Sequence, residues 1–599
     1  MKKGIAILLS FVLLSAMLLS APAMAASDEL TGAAHGNNGP VTATVTLEGD
    51  RIVSVEIDGQ WETPGIGLPA LQTIAEAIVA QQSLDVDAVA GATVSSRAAV
   101  QAVENALLSA GIDTAPYPTA APEGERLEKS ADIVVVGGGL AGMVSTVRAA
   151  ENGAHVILVE RSEILGGNAR FAMGWISGAG FRIQKELGVE DSPELFYQDI
   201  VRIAGGEENL YIPTARYYAE HSGAAIDWLQ DKGVEFKNEL NPGIYDPMSV
   251  LRVAWGSRMG ASLVSGMQGQ IDQLVEEGSV EVLFGANAEE LIVTDGAVTG
   301  VKALQKNGDT VVITAKATIL AAGGYEASEE KLSGMFENVA RSFMTASKGD
   351  TVDLAVQAGA ATHDMESNTV VGGVLPTDGF YSNVIMDTTY GSLIFVDVNG
   401  NRVFNEMGAK TLEKSQAWVN APENTLYAIV TSEMLDEAQP ILSQGNAWMA
   451  VKDKDWVLWD RLLEEGELII KVDTLEELAE RLDMPELKAT VDTYNTNASA
   501  DTDPDFGRTE KLQPLDQGPF YAIKTIPYCS WSTGGPMANE NMEVLNEAGE
   551  TIPGLYVAGE GAGHALVAGK TPISGMYLGM DATFGIDAAD HAAAYALNG

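Results

Sequence analysis

The sequence contains two glycine-bearing turns whose residue types and spacing fit phosphate and nucleotide chemistry. Gly137-Gly138-Gly139-Leu140-Ala141-Gly142 follows the apolar run Ile133–Val136 and opens a helix that reaches about Asn152. A second apolar run, His155–Val159, ends at Glu160, 18 residues after Gly142. Gly137, Gly139 and Gly142 therefore make G-x-G-x-x-G inside a βαβ unit. Such glycines let the backbone reach a pyrophosphate at the helix N-terminus, and the acid takes a ribose hydroxyl pair, so a bound dinucleotide is predicted. The second turn is Asp87-Ala88-Val89-Ala90-Gly91-Ala92-Thr93-Val94-Ser95-Ser96. Local physics reads it as a tight turn that displays the Thr93 hydroxyl, with further hydroxyls to cap the next helix.

These turns need α/β architecture around them. Residues 26–115 read as a small unit, with a hairpin of Val41–Leu47 and Ile52–Ile57 followed by helices at Pro69–Gln81 and Ser95–Leu108. Residues 116–130 are Pro- and Ala-rich and read as a linker. A larger α/β body starts at Ala131.

Composition narrows the chemistry. The chain has 599 residues, enough for several domains, and 46% are apolar, which excludes wholesale disorder. The net charge of −47 argues against nucleic acid and anionic lipid as partners. The single cysteine, Cys529, excludes cysteine-ligated iron–sulfur clusters and c-type haem. Six histidines scattered along the chain make no four-ligand set, so no metal is expected.

Lys2 and Lys3 precede the apolar run Ile5–Leu19, and Ala21-Pro22-Ala23-Met24-Ala25 places small residues before a cut after Ala25. This order predicts a secretory signal at 1–25 and a protein that is secreted, cell-surface or periplasmic. Outside the cytoplasmic membrane there is no NAD(P)H pool, so electrons must come from another protein or from the membrane.

The Thr93 segment, with Glu62-Thr-Pro-Gly-Ile-Gly67 before it, resembles the FMN-binding domain in which a threonine carries FMN as a phosphoester. That resemblance implies covalent FMN on Thr93. Ala90 departs from the family, which has Ser or Thr there. In the body, Gly166-Gly167-Asn168-Ala169, Thr318–Gly324 and Ile552–Glu560 resemble the flavoprotein subunit family of fumarate reductases, urocanate reductases and 3-ketosteroid dehydrogenases. The resemblance implies a Rossmann-type FAD-binding domain at 131–365 and 529–599, with an inserted α+β capping domain at 366–528. It implies non-covalent FAD, since no histidine sits beside Gly166-Gly167. Gly167, Asn168, Ala322, Gly323, Gly324 and Glu560 join Gly137, Gly139, Ala141, Gly142 and Glu160 in the implied cofactor set, with Asp350, Ser574 and Gly575.

The pocket departs from the family. Asn405-Glu406-Met407-Gly408-Ala409-Lys410 puts Lys410 where fumarate reductases have an acid arginine. A buried lysine with a lowered pKa can act as an acid near neutral pH. The family's carboxylate-binding histidine motif falls on Ser530–Gly535, its second histidine near Val371, and its clamping arginine on Pro572. Losing all three leaves substrate carboxylates unpaired in a dry pocket. Aromatic residues replace them: Trp531 and Tyr390 are read as substrate contacts, with Trp175 and Tyr381 nearby, and Tyr528 and Tyr577 as alternative proton donors or carbonyl partners.

The resulting expectation is an extracytoplasmic oxidoreductase acting on CH–CH groups. FMN passes electrons from a membrane-associated donor to FAD, which reduces the activated double bond of an uncharged or aromatic enone or enoate. Three alternatives stay open: a ketosteroid-dehydrogenase-like desaturation, a urocanate- or fumarate-type reduction, and an FMN carrier without turnover.

Overall fold

The computed structural model describes residues 28–35, 40–49, 51–59, 62, 67–86, 88–89, 92–110, 112, 125–170, 172–243, 246–305, 308–333, 347–366, 368, 370–373, 393–434, 463–529 and 531–598. The predicted signal at 1–25, Tyr381, Tyr390 and Ser530 lie outside the described residues, as do the side chains of Thr93 and Tyr528.

The chain divides into two compact units. In the first, strands Asp28–His35, Pro40–Glu48 and Arg51–Asp58 pair antiparallel in sequence order. Helices Gly67–Gln81 and Thr93–Ser109 cover one face. The core is built from Val41, Val45, Ile52, Ile74, Ile78, Val103 and Leu107, the inward positions of the alternating strands and the apolar stripes of the helices. The strand Asp28–His35 was not foreseen, because its Gly32-Ala33-Ala34 has weak strand preference.

The second unit is organised on a six-stranded sheet. Its order is Val280–Leu283, Val156–Val159, Ile133–Val136, Ala317–Leu320, Thr551–Val557, Glu543–Leu545, and only the last pair is antiparallel. Ile133–Val136 and Val156–Val159 are buried along their whole length, as fits β-branched strands covered on both faces. Helix Leu140–Glu151 packs beside helix Met576–Asn598, and the Ser145 hydroxyl donates to the Gly585 carbonyl at 3.0 Å.

A four-stranded side sheet corrects the linker assignment. Arg126–Ser130, placed in the linker by composition, is a strand that pairs parallel with Thr310–Thr314. Its charged alternation hid it: the sheet supplies the backbone partners, while the side chains of Arg126 and Glu128 pair with one another at 2.7 Å.

Between Thr362–His363 and Gly535–Pro536, which pair with each other, the chain forms a separate antiparallel sheet. Its order is Val371–Gly373, Phe520–Tyr528, Leu426–Thr431, Ile394–Asp397, with Ile469–Val472 also paired to Phe520–Tyr528. Phe395, Phe404 and Trp418 pack as an aromatic core. Glu406 is fully buried between Arg402 (2.6 Å) and Arg508 (3.1 Å). That network fixes the segment leading to Lys410.

Candidate active site

A cavity opens at the carboxyl ends of Ile133–Val136 and Val156–Val159, where a parallel α/β sheet places its ligands. Gly137, Gly139, Ala141, Glu160, Gly167, Asn168, Ala322, Gly323, Asp350 and Glu560 all line it. The turn has the shape a dinucleotide requires. A Cβ on Gly139 would meet no atom within 4 Å and would project into the space a pyrophosphate takes. A Cβ on Gly142 would lie 1.8 Å from the Gly137 carbonyl oxygen, so the third glycine serves close packing of helix on strand.

Four members of the predicted cofactor set do not line this cavity. Gly142 supports the turn from behind. Gly324 packs on Ser532, where a Cβ would come within 2.2 Å of the hydroxyl. Gly575 accepts the Ser177 amide at 2.9 Å and Ser574 packs against Gly243.

Glu160 is oriented by two amides, Gly138 N–H to Oε2 and Ser162 N–H to Oε1, each at 2.7 Å. Burial nonetheless pushes its carboxyl above the usual range. Arg161 and Asp350, both on the cavity wall, form an ion pair at 3.0 Å. Sequence reasoning missed Arg161, Asn287, Ser347 and Asp581 as lining residues. Arg161 had a usable signal, since it follows the ribose acid directly.

From Glu560 the wall continues into a hydrogen-bonded frame. Ser532 N–H donates to Glu560 Oε1 at 3.0 Å, Thr533 N–H to Asn368 Oδ1 at 2.8 Å, and Gly534 N–H to the Tyr325 hydroxyl at 3.3 Å. Asn368 also donates to the buried Cys529 sulfur at 3.8 Å, and burial pushes that thiol up to about 12. None of Tyr325, Glu326 and Asn368 was foreseen. They come from segments distant in sequence and carry no motif.

This frame presents the aromatic residues. The Trp531 and Tyr577 rings lie 5.0 Å apart, tilted by 32°, and His564 meets Tyr577 edge-on at 5.4 Å. His564 is fully buried, with Nδ1 3.1 Å from the Ser532 carbonyl, and burial pushes its imidazole down to about 4. Of the predicted substrate and catalytic residues, Trp531 and Tyr577 are thus brought together. Tyr528 ends the strand Phe520–Tyr528, paired with Val371.

Lys410 departs from its expected setting. It stands in extended conformation just before helix Thr411–Asn420, and it is exposed rather than buried. Its side chain has no hydrogen bond or ion pair among the described residues. The neighbouring Thr411 amide donates to Asp246 Oδ1 at 3.4 Å, which joins this segment to the loop after Asn241.

In the first unit, Thr93 is the first residue of its helix, where free amides and the helix dipole favour a phosphate. Ser95 and Ser96 do not cap that helix as expected, because they already lie inside it. The Ser96 hydroxyl instead accepts the Val89 amide at 3.0 Å and donates to the Ala92 carbonyl at 2.9 Å, stapling the turn. Ser95 donates to the buried Glu62.

The parallel sheet, the glycine cradle and Glu160 beside it define a dinucleotide-binding fold. The chain belongs to the FAD binding domain family, whose model matches residues 132–577, and it carries an FMN-binding domain matched over residues 36–108. It is 30% identical over 565 residues to urocanate reductase of Eggerthella lenta, covering 90% of this chain and 88% of that one. It is 30% identical over 530 residues to NADH:fumarate oxidoreductase of Klebsiella pneumoniae, covering 87% of this chain but only 53% of that one. The chain thus spans about half the length of that relative. It is 28% identical over 466 residues to vinyl phenol reductase of Lactiplantibacillus plantarum, covering 72% of this chain and 90% of that one. The open conformation of a flavocytochrome c3 fumarate reductase superposes with a TM-score of 0.60 at 26% identity, covering 78% of this chain and 79% of that one.

Proposed function

We propose that this chain is an extracytoplasmic flavin-dependent reductase of the carbon–carbon double bond in an uncharged or aromatic enone or enoate. The observation that carries this reading is the Trp531–Tyr577 pair, tied to the flavin wall through Ser532 and Glu560. Trp531 stands where the family resemblance puts a carboxylate-binding histidine. Relatives named for reduction of urocanate and of vinyl phenol support an unsaturated substrate with a ring.

FAD held in the cavity supplies hydride transfer to the alkene. The residues of the chain do the rest. Glu160 and the glycine turn hold the nucleotide end. Trp531 and Tyr577 pack against a planar substrate and keep water from it, with Tyr577 steadied by the edge of His564. The proton for the α-carbon comes from the Tyr577 hydroxyl, from Tyr528, or from Lys410, whose exposed ammonium must swing inward to serve. Thr93 would hold FMN covalently, and that group would supply electron transfer from a membrane-associated donor. The predicted signal supports this location.

Anaerobic oxidation of reduced methyl viologen tests the reading. Cyclohexenone and the aromatic enone benzylideneacetone should be turned over at least tenfold faster than fumarate or urocanate. Fast turnover of fumarate alone would overturn it. Turnover only of saturated compounds with an artificial acceptor would establish a dehydrogenase instead.

A further inference from the structure

Three carboxyl groups share one hydrogen-bonded string at the flavin wall. Asp581 Oδ1 accepts the Glu560 amide at 3.1 Å, Glu560 Oε1 accepts the Ser532 amide at 3.0 Å, and the Ser532 hydroxyl donates to Glu326 Oε2 at 3.1 Å. Glu560 and Asp581 line the cavity, while Glu326 is fully buried behind them. Asn168, also on the wall, donates to Glu326 Oε1 at 3.1 Å and to Ser347 at 2.8 Å.

Among the described residues, none of the three carboxyls has an ion pair or hydrogen bond with a lysine, arginine or histidine. The titratable and charged groups packed around it are accounted for otherwise. Tyr325 and Cys529 lie in the frame behind it. His564 faces the Ser532 carbonyl, and His363 places Nε2 2.8 Å from the Ala562 carbonyl and Nδ1 beside Asp364. Arg161, the cation on the cavity wall, is engaged by Asp350, and Glu160 is held by its two amides.

Carboxylates so joined, Glu326 fully buried and Glu560 and Asp581 half-buried in the cavity wall, resist ionising together. Burial pushes Glu326 and Asp581 each up to about 7, and burial with the nearby Glu326 and Asp581 charges pushes Glu560 well above the usual range. Such a cluster holds protons more strongly than isolated carboxyls do, and any ionised member is a place for a further proton.

We propose that the Asp581–Glu560–Glu326 cluster is a redox-linked proton store for the bound FAD. Reduction brings two electrons and one proton to the flavin ring and adds one negative charge to the cavity. One carboxylate of the cluster, Asp581 in the first instance, then binds a second proton from solvent as a carboxyl O–H bond. The cavity charge stays constant, and the proton leaves on reoxidation. The electrons come from the reductant in use, which in the test below is dithionite acting through redox dyes.

The test is the pH dependence of the FAD midpoint potential between pH 7 and 8.5. It uses the full-length, FAD-loaded Thr93→Ala protein as parent, so that FAD is the one flavin measured. The parent should show two protons taken up per two electrons. Glu326→Gln and Asp581→Asn should each bring that number down toward one, with the FAD absorbance retained as evidence of folding. If Asp581→Asn does not hold FAD, Glu326→Gln decides, because its side chain lies behind the wall. One proton per two electrons in the parent, or a count unchanged in the FAD-bound variants, overturns the proposal.

Discussion

Ser532 donates its amide to Glu560 at 3.0 Å, so the residue next to Trp531 is bonded directly to the flavin wall. A change of side chain at Trp531 is therefore read out beside the cofactor, without a flexible loop between them.

Trp531→His should move specificity toward carboxylate-bearing alkenes. The imidazole restores a polar anchor where the indole offers an apolar face. The ratio of kcat/KM for fumarate over benzylideneacetone, measured with reduced viologen, should rise at least tenfold. An unmoved ratio would show that Trp531 does not touch substrate.

Gly139→Val and Gly142→Ala should each strip the protein of FAD, for different reasons. The first fills the pyrophosphate space, and the second forces a Cβ to within 1.8 Å of the Gly137 oxygen. The non-covalent flavin released when the purified variants are denatured should fall below about a tenth of the parent's, in line with loss of several kcal/mol of close-packed contact. Retained FAD in either variant would contradict the cradle.

Thr93→Ala should abolish flavin fluorescence in the denatured band while leaving the FAD of the native protein in place. Fluorescence that persists after denaturation would place the attachment elsewhere.

Arg252 is fully buried between Asp191, at 2.8 Å, and Asp199. Arg252→Ala takes the cation from buried Asp191, while Asp199 keeps Arg202, and should cost about 3–5 kcal/mol in denaturant unfolding. At Asp199, burial is outweighed by hydrogen bonds from Ser249, Arg202 and Arg252, which hold the carboxyl down to about 2. A depressed carboxyl stabilises above its unfolded pKa near 4, and that contribution is lost as pH falls toward 2. Asp199→Asn should flatten this acid limb.

His564 makes a separate pH signature. Its folded value of about 4 lies below the unfolded 6.5, so between these values the unfolded chain binds a proton the native chain does not. Stability should fall as pH drops from 6.5 to 4, by about 3 kcal/mol in total. His564→Gln should remove that slope; an equal slope in the variant would assign it to another group.

How far the sequence revealed the protein depended on how local each feature is. The parallel strand Ile133–Val136, its glycine turn and Glu160 are contiguous, and composition with spacing was enough to place them at the cavity. The helix after Thr93 was legible from its apolar stripe, although its start lies two residues earlier than the serines suggested. Arg126–Ser130 was not legible, because its partner Thr310–Thr314 is about 180 residues away and its own side chains are solvated. Glu326, Asn368 and Asp581 meet only after the chain has folded, so no spacing rule joins them. Lys410 shows the opposite limit: its position was read from a motif, yet the motif carries no information on burial.

The one cysteine has a practical consequence. Cys529 is fully buried, bonded to Asn368, and held as a thiol to about pH 12, so it offers no thiolate to alkylating reagents in the native state. A cysteine introduced at any exposed position would then be the sole reactive thiol on the native chain. Paired fluorophores or spin labels could be attached without first removing a native residue, and the separation of the two flavin-binding units could be measured directly in the wild-type background.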